Sequence, residues 1–191
     1  EEARTIITLD GRPVELRCWR YLVPGVSGFH VPVYFLDADL PANDPLDRAL
    51  SGTLYGGDRY YRLCQEVVLG IGGISMLRAL GYPSIARYHM NEGHAALLAL
   101  ALLEQRLGKS DLGSASREDL EAIRSQCIFT TLTPVPAGHD QFSRVLMQQV
   151  LGAQRMKVLE VTHCCPEGTL NMTYLALKFS RYINGVAMHH G

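Results

Sequence analysis

The chain lacks a surplus of charge of either sign. Its net charge is −1, and no cluster of Lys and Arg stands out. Phosphate neutralisation needs a basic face, so nucleic acid is excluded as a main partner. Long apolar runs are also missing. The longest, Ala95 to Leu103, falls far short of the ~20 residues of a membrane span. No signal-peptide pattern opens the chain. It does not begin with Met, so its ends read as the ends of a piece. The five cysteines, Cys18, Cys64, Cys127, Cys164 and Cys165, show no C-x-x-C spacing. An odd, scattered set reads as reduced, buried thiols of a cytoplasmic protein and not as a metal or redox site.

What is present is an ordinary globular composition, 47% hydrophobic and 19% charged over 191 residues, enough for a proper core. Residues 1–57 read as a β-rich subregion. Thr5 to Leu9, Val14 to Val23 and His30 to Asp37 are rich in Val, Ile, Tyr and Thr, and Asp10-Gly11 marks a hairpin. The turn-rich stretch from Ala38 to Asp58 still carries apolar residues and reads as a connection, not a linker. Residues 58–191 alternate helix and strand, the pattern of a parallel sheet flanked by helices. Asp58 opens a helix to Leu80, with Tyr60, Cys64, Val67, Ile71 and Ile74 on one stripe. Strand Ile85–Met90 precedes an apolar, buried helix from His94 to Leu107. Ser116 and Asp119 form a capping-box pattern for a helix to Ser125. Strand Cys127–Thr131 follows. Further helices are expected from about Asp140 to Leu151 and from Thr169 to Ile183, with a new strand opening at Val186-Ala187-Met188.

Both strands end in polar turns, and ligands of open α/β sheets bind at such carboxyl ends. The first turn holds Asn91, Glu92 and His94. A helix N-terminus there suits an anion or a sugar hydroxyl; alternatively Asn91 only caps the helix and His94 packs. The second holds Thr130, Thr131, Leu132 and Thr133, then Pro134, Pro136 and Gly138. A stiff, hydroxyl-lined loop suits a polar ligand such as a sugar, or is a plain turn. Asp140 reads as a helix cap. Gly70-Ile71-Gly72-Gly73 fails as a dinucleotide motif because Ser75 stands where the last glycine belongs and no strand precedes it. Close helix packing explains these glycines better. His89 and His94 are five apart and do not share a helix face as metal ligands do.

Tyr88-His89-Met90-Asn91-Glu92-Gly93-His94-Ala95-Ala96, the run from Phe129 to Asp140, and Leu170-Asn171-Met172-Thr173-Tyr174 through Asn184-Gly185-Val186 resemble the α-glucan (glycogen, starch and maltodextrin) phosphorylases. Val33-Tyr34-Phe35-Leu36-Asp37 and Leu54-Tyr55-Gly56-Gly57-Asp58-Arg59 resemble their short bacterial and archaeal branch. The resemblance implies a Rossmann-like α/β fold within the amino-terminal lobe of a two-lobed glycosyltransferase (GT-B). It implies phosphorolysis of α-1,4-glucan to glucose 1-phosphate, with glucan and phosphate as partners. It implies pyridoxal 5′-phosphate, held by a lysine of a carboxyl-terminal lobe. This chain then reads as a middle slice of the first lobe, inactive alone, with no cofactor bound to it. None of Lys109, Lys157 and Lys178 lies in a cofactor motif. The resemblance leaves room for a homo-oligomer.

The substrate-side residues implied are Asn91, Glu92, His94, Thr131, Leu132 and Thr133; no catalytic residue and no metal ligand is assigned. Leu132 departs from the family, which has a histidine there that hydrogen-bonds glucose. Leucine neither donates nor accepts, and Glu92 is expected to lose its partner with it. Two other readings stand beside this one. One is a non-catalytic sugar-binding or regulatory module derived from the lobe. The other is a metal-dependent hydrolase built on His89, His94 and His139.

Overall fold

The computed structural model describes residues 1–54, 56–108, 110–133, 139–165 and 168–187. The chain opens with an antiparallel meander of β1 (Ala3–Leu9), β2 (Arg12–Pro24) and β3 (His30–Asp37). Asp10 and Gly11 both take positive φ, as a two-residue hairpin turn matching strand twist requires. Period-2 alternation buries Ile7, Leu9, Val14, Leu16 and Cys18 on one face. Beyond Cys18 the β2–β3 ribbon leaves the core. Its cross-strand pairs there are Trp19 with Phe35, Tyr21 with Val33 and Val23 with Val31. Alternation puts all six on one face of the ribbon, and all but half-buried Val33 are exposed.

The connection after β3 includes one turn of helix, α1 (Pro45–Arg48). It is tied down, as its recurring apolar residues imply. The Arg12 guanidinium donates to both oxygens of buried Asp47 (2.8 and 2.6 Å), and the Asn43 amide donates to the carbonyls of Glu15 and Ala38 (2.8 and 2.7 Å).

Helices α2 (Arg59–Val67) and α3 (Gly73–Ala79) form one rod joined through a wider π-type turn at Val68–Gly72. Asp58 caps it by accepting from the Tyr61 N–H at 2.9 Å. Close packing is the use of Gly70 and Gly72 but not of Gly73, where a Cβ would meet nothing within 4 Å. A Cβ at Gly70 would stand 2.8 Å from the Leu98 nitrogen, and one at Gly72 2.6 Å from Leu16 Cδ1.

The second sheet is parallel, in the order β4 (Tyr88–Asn91), β5 (Cys127–Thr131), β8 (Tyr182–Gly185). Helices α4 (Leu98–Leu107) and α5 (Arg117–Gln126) connect β4 to β5. The apolar run at the start of α4 is buried throughout, Leu98 to Leu103. The Ser116–Asp119 capping box closes in both directions, at 3.1 and 3.0 Å. One hydrophobic core includes Ile7 and Leu16 of the meander, Leu100 of α4, Phe129 of β5 and, further on, Leu175. Cys18, Cys64, Cys127 and Cys164 are buried, Cys165 partly so, and all are free thiols. Burial pushes the Cys64 thiol up to about 12. No helix among the described residues is long and apolar enough to cross a membrane.

The region after β5 differs from the sequence reading. The helix expected from Asp140 begins later. Gln141–Ser143 is a short strand, β6, and Ser143 caps α6 (Arg144–Leu151) through the Leu146 N–H at 3.3 Å. A separate helix, α7 (Ala153–Val161), follows Gly152, whose positive φ breaks the run. The single helix expected over 169–183 is three elements: β7 (Thr169–Asn171), antiparallel to β6; α8 (Met172–Lys178); and β8. Asn171 decides this, because its side chain accepts from the N–H groups of Thr173 (2.9 Å) and Tyr174 (3.2 Å) and so starts the helix at Met172. The new strand expected at 186–188 is Tyr182–Gly185 instead, and position 188 lies outside the described residues.

Candidate functional site

Parallel pairing sets Asn91 opposite Thr130, so the carboxyl ends of β4 and β5 adjoin. At that point Glu92 adopts φ 61°, ψ −179°. This region is nearly reserved for glycine and costs a side-chain-bearing residue on the order of 1–3 kcal/mol. The backbone is held there by the Glu92 N–H donating to the Thr130 carbonyl at 2.9 Å. The side chain is 3% exposed. Its carboxylate accepts from the backbone N–H groups of Leu132 and Thr133, each at 2.8 Å, and lies 3.5 Å from the Thr131 hydroxyl. These are charge-assisted bonds to a buried anion. Glu92 is therefore not left without a partner beside Leu132: the main chain supplies two donors where a side chain was expected to supply one. Gly93 gives the turn its room, since a Cβ there would stand 2.9 Å from backbone atoms of Met172 and Thr173 at the start of α8.

Asn91 ends β4 exposed, Thr131 and Thr133 are half-buried, and Leu132 is 43% exposed. These four gather at the strand ends with Glu92. Pro134, Pro136 and Gly138 lie outside the described residues. The helix terminus expected at 92–94 is elsewhere: Gly93–Ala95 is a 3₁₀ turn, and α4 starts at Leu98, which is buried. The anion-binding argument does not hold there.

A polar line crosses the same sheet. The Thr130 hydroxyl donates to the Asn184 side-chain oxygen at 2.7 Å and lies 2.6 Å from His89 Nε2. A hydroxyl has one proton, so His89 donates here. His89 on β4, Thr130 on β5 and Asn184 on β8 thus link all three strands. Sequence reasoning misses Asn184, because Asn184-Gly185 reads as a helix stop and not as part of a strand.

His94 departs from the strand ends and joins Arg62, Glu66 and Asp140. Its Nδ1 lies 3.0 Å from Arg62 Nη2, 3.2 Å from Asp140 Oδ2 and 3.8 Å from Glu66 Oε1. Arg62 Nη2 also donates to Asp140 at 2.8 Å and lies 3.4 Å from Glu66. Asp140 and then Glu66 raise His94 to about 9, and the bond from His94 holds Asp140 below the usual carboxylate range. In the protonated form, His94 Nδ1–H donates to Asp140 and Arg62 is held by Asp140. Burial pushes Glu66 up to about 8. Asp140 is thus an ion-pair partner and not the helix cap it was expected to be.

The three-histidine metal set does not assemble. His89 is bonded to Thr130, His94 to the Arg62 cluster, and His139 Nε2 is buried without a partner among the described residues. Glu66, His94 and Asp140 do have the spacing of metal ligands. The Arg62 guanidinium already stands among their three atoms, and a cation of the protein itself meets that demand.

No family model matches the chain. It is 33% identical over 180 residues to a glycogen phosphorylase of Mycobacterium tuberculosis, covering 84% of this chain and 20% of that protein. It is 38% identical over 163 residues to a maltodextrin phosphorylase of Thermococcus litoralis, covering 84% and 19%. A glycogen phosphorylase of Aquifex aeolicus is 30% identical over 201 residues, covering 95% and 28%. The chain thus spans between about a fifth and somewhat over a quarter of the length of these relatives. On the matched segment it belongs to the glycogen and maltodextrin phosphorylase family.

Proposed function

We propose that this chain supplies the glucan side of a phosphorylase cleft, as part of the amino-terminal lobe of a two-lobed glycosyltransferase. The observation that carries the reading is the Glu92 clamp, which fixes two adjoining strand ends to each other at 2.8 Å. Rigid strand ends are where an open α/β sheet takes its ligand. The Asn91 amide and the hydroxyls of Thr131 and Thr133 are the side chains offered to a hexose. Leu132 adds apolar surface but no hydrogen bond, which weakens discrimination for a hydroxyl-bearing ring.

The family implies α-1,4-glucan and phosphate as substrates, a carboxyl-terminal lobe as partner, and pyridoxal 5′-phosphate as cofactor. The residues described do not fit that cofactor. Lys157 is held by Asp111 at 2.9 Å and Lys178 is exposed at the end of α8, so neither stands at the strand ends to form a Schiff base. Lys109 lies outside the described residues. The chain alone is therefore expected to release no glucose 1-phosphate from maltodextrin. The free, buried cysteines support a cytoplasmic setting.

The test is a pair of chimeras in which this segment replaces the matching one of the Thermococcus litoralis maltodextrin phosphorylase, one keeping Leu132 and one carrying Leu132→His. Phosphorolysis that rises roughly tenfold or more with the Leu132→His substitution supports the reading, as expected when a hydrogen bond to the hexose is restored. The second reading, a sugar-binding module without catalysis, is favoured by Leu132 itself. It is supported if both chimeras bind maltoheptaose and neither turns it over. If neither binds, the strand ends are not a sugar site.

A further inference from the structure

Where the β2–β3 ribbon leaves the core, one of its faces carries a stripe of three cross-strand pairs: Trp19 with Phe35, Tyr21 with Val33 and Val23 with Val31. Half-buried Val33 apart, these residues are 39% to 60% exposed. At ~150–250 Å² for a whole aromatic side chain, that leaves about 500 Å² of apolar surface per copy. Patches of this size on a soluble chain mark interaction sites.

Charge and edge narrow what covers the stripe. The charged groups that border it on the same face are already matched. Arg17 donates to Asp37 at 2.7 Å and lies over the Trp19 ring, 4.9 Å from its centre. The Trp19 indole N–H donates to Asp37 at 3.0 Å. Arg4, opposite Arg17 on β1, is paired with Glu15 at 3.2 Å. This border is neutral. It offers a charged partner nothing to bind, and a second copy meets no uncompensated like charge there. β3 is the outer strand of the meander among the described residues, but Pro32 within it lacks the N–H that strand addition uses. The face, not the edge, is what a partner can cover.

The stripe is also complementary to itself. Its inner end, Trp19 and Phe35, is bulky, and its outer end, Val23 and Val31, is small. A two-fold axis across the ribbon at the Tyr21–Val33 pair sets Trp19 against Val23 of the second copy and Phe35 against Val31 of the second copy. Large then meets small, as close packing needs. Such an isologous pair covers about 1,000 Å² in total, the least that a specific interface needs.

We propose that this stripe is an interface between two copies of the chain, packed face to face about that axis. It is separate from the strand-end reading and stands or falls without it.

The test uses the 191-residue chain, in which Trp19 is the only tryptophan, so its emission reports on this face alone. Sedimentation is expected to pass from monomer to dimer with a Kd on the order of 10 μM. Trp19 emission is expected to move to the blue over the same concentrations. Tyr21→Lys and Tyr21→Glu each set like charges across the axis, and each is expected to weaken pairing roughly hundredfold or more. Position 21 is exposed on the ribbon, so circular dichroism is expected to stay unchanged in both. Mixed one to one, the two variants are expected to pair again, because the axis brings position 21 of each copy together. The concentration series of the parent chain keeps the test decisive should either variant fail to fold. A parent chain that stays monomeric, a dimer whose Trp19 emission does not move, growth past the dimer, or folded variants that do not pair when mixed overturns the proposal.

Discussion

Two buried glutamates organise this chain, and they are satisfied in opposite ways. Glu92 is met by main-chain N–H groups of Leu132 and Thr133. Glu66 is met by side chains, Arg62 and His94, and keeps one oxygen unpartnered among the described residues. Backbone donors do not titrate and cannot swing away, so the first cluster acts as a fixed joint between β4 and the segment after β5. Side-chain donors titrate and rotate, so the second cluster responds to pH. Burial alone therefore does not decide a carboxylate's behaviour; the identity of its donors does.

The largest effect that would break this contrast is removal of the joint. Glu92→Ala leaves two N–H groups without their acceptor and keeps the unfavourable backbone. We expect a loss of about 3 kcal/mol in urea unfolding. Glu92→Gly loses the same acceptor but suits φ 61°, and is expected to cost about 1–2 kcal/mol less. Equal losses would mean that the backbone there is not strained. Gly93→Ala sharpens the comparison from the packing side. Its Cβ would meet the α8 backbone at 2.9 Å, so α8 must shift, at a cost of roughly 1–3 kcal/mol. Amide shifts are expected to spread through Met172 and Thr173 and leave Arg62 unmoved.

The smallest effect tests the titrating cluster. Folding raises Glu66 from 4.5 to about 8 and His94 from 6.5 to about 9. Between those values the folded chain binds more protons than the unfolded one, so stability falls as pH rises. Glu66 contributes that fall from about pH 4.5 to 8 and His94 from about 6.5 to 9. Asp140, held low, contributes loss only on the acid side of 3.8. Water reaches half-buried His94 and screens its partners. Only about 2 kcal/mol of these shifts is therefore expected to show, a drop in the midpoint of thermal unfolding of roughly 3–8 °C between about pH 6 and pH 9. Glu66→Gln should flatten the first part of that slope. A flat profile in the parent chain would show that the cluster does not titrate as a folded unit.

Much of the architecture was legible locally. Asp10-Gly11, the Ser116–Asp119 box, the Asp58 cap and the apolar α4 each carry their instruction within a few residues. The strand ends at Asn91 and Thr131 were legible because each follows an apolar run and precedes a change of period. β6 and β7 were not, since three residues show too little alternation and each strand exists only through its distant partner. β8 was hidden because Tyr182 and Ile183 continue an apolar helix pattern that Asn184-Gly185 reads as ending, and its strand character comes from β5. At the site, Glu92 was visible as a residue but its donors were not, because they are main-chain groups about forty positions on. Arg62 and Glu66 stand four apart on α2, the spacing of an ordinary surface pair. Only the fold brings His94 and Asp140 to them.

The β2–β3 ribbon carries one last consequence. Trp19, Tyr21, Val23, Val31 and Phe35 form a stripe open to water on the part of β2 and β3 that runs past the end of β1, whose pairing stops at Ala3 and Cys18. Water surrenders such a surface readily, and salts that tighten its grip on itself make the surrender easier. Ammonium sulfate should therefore precipitate this chain at concentrations where a Trp19→Lys, Phe35→Glu double variant stays dissolved.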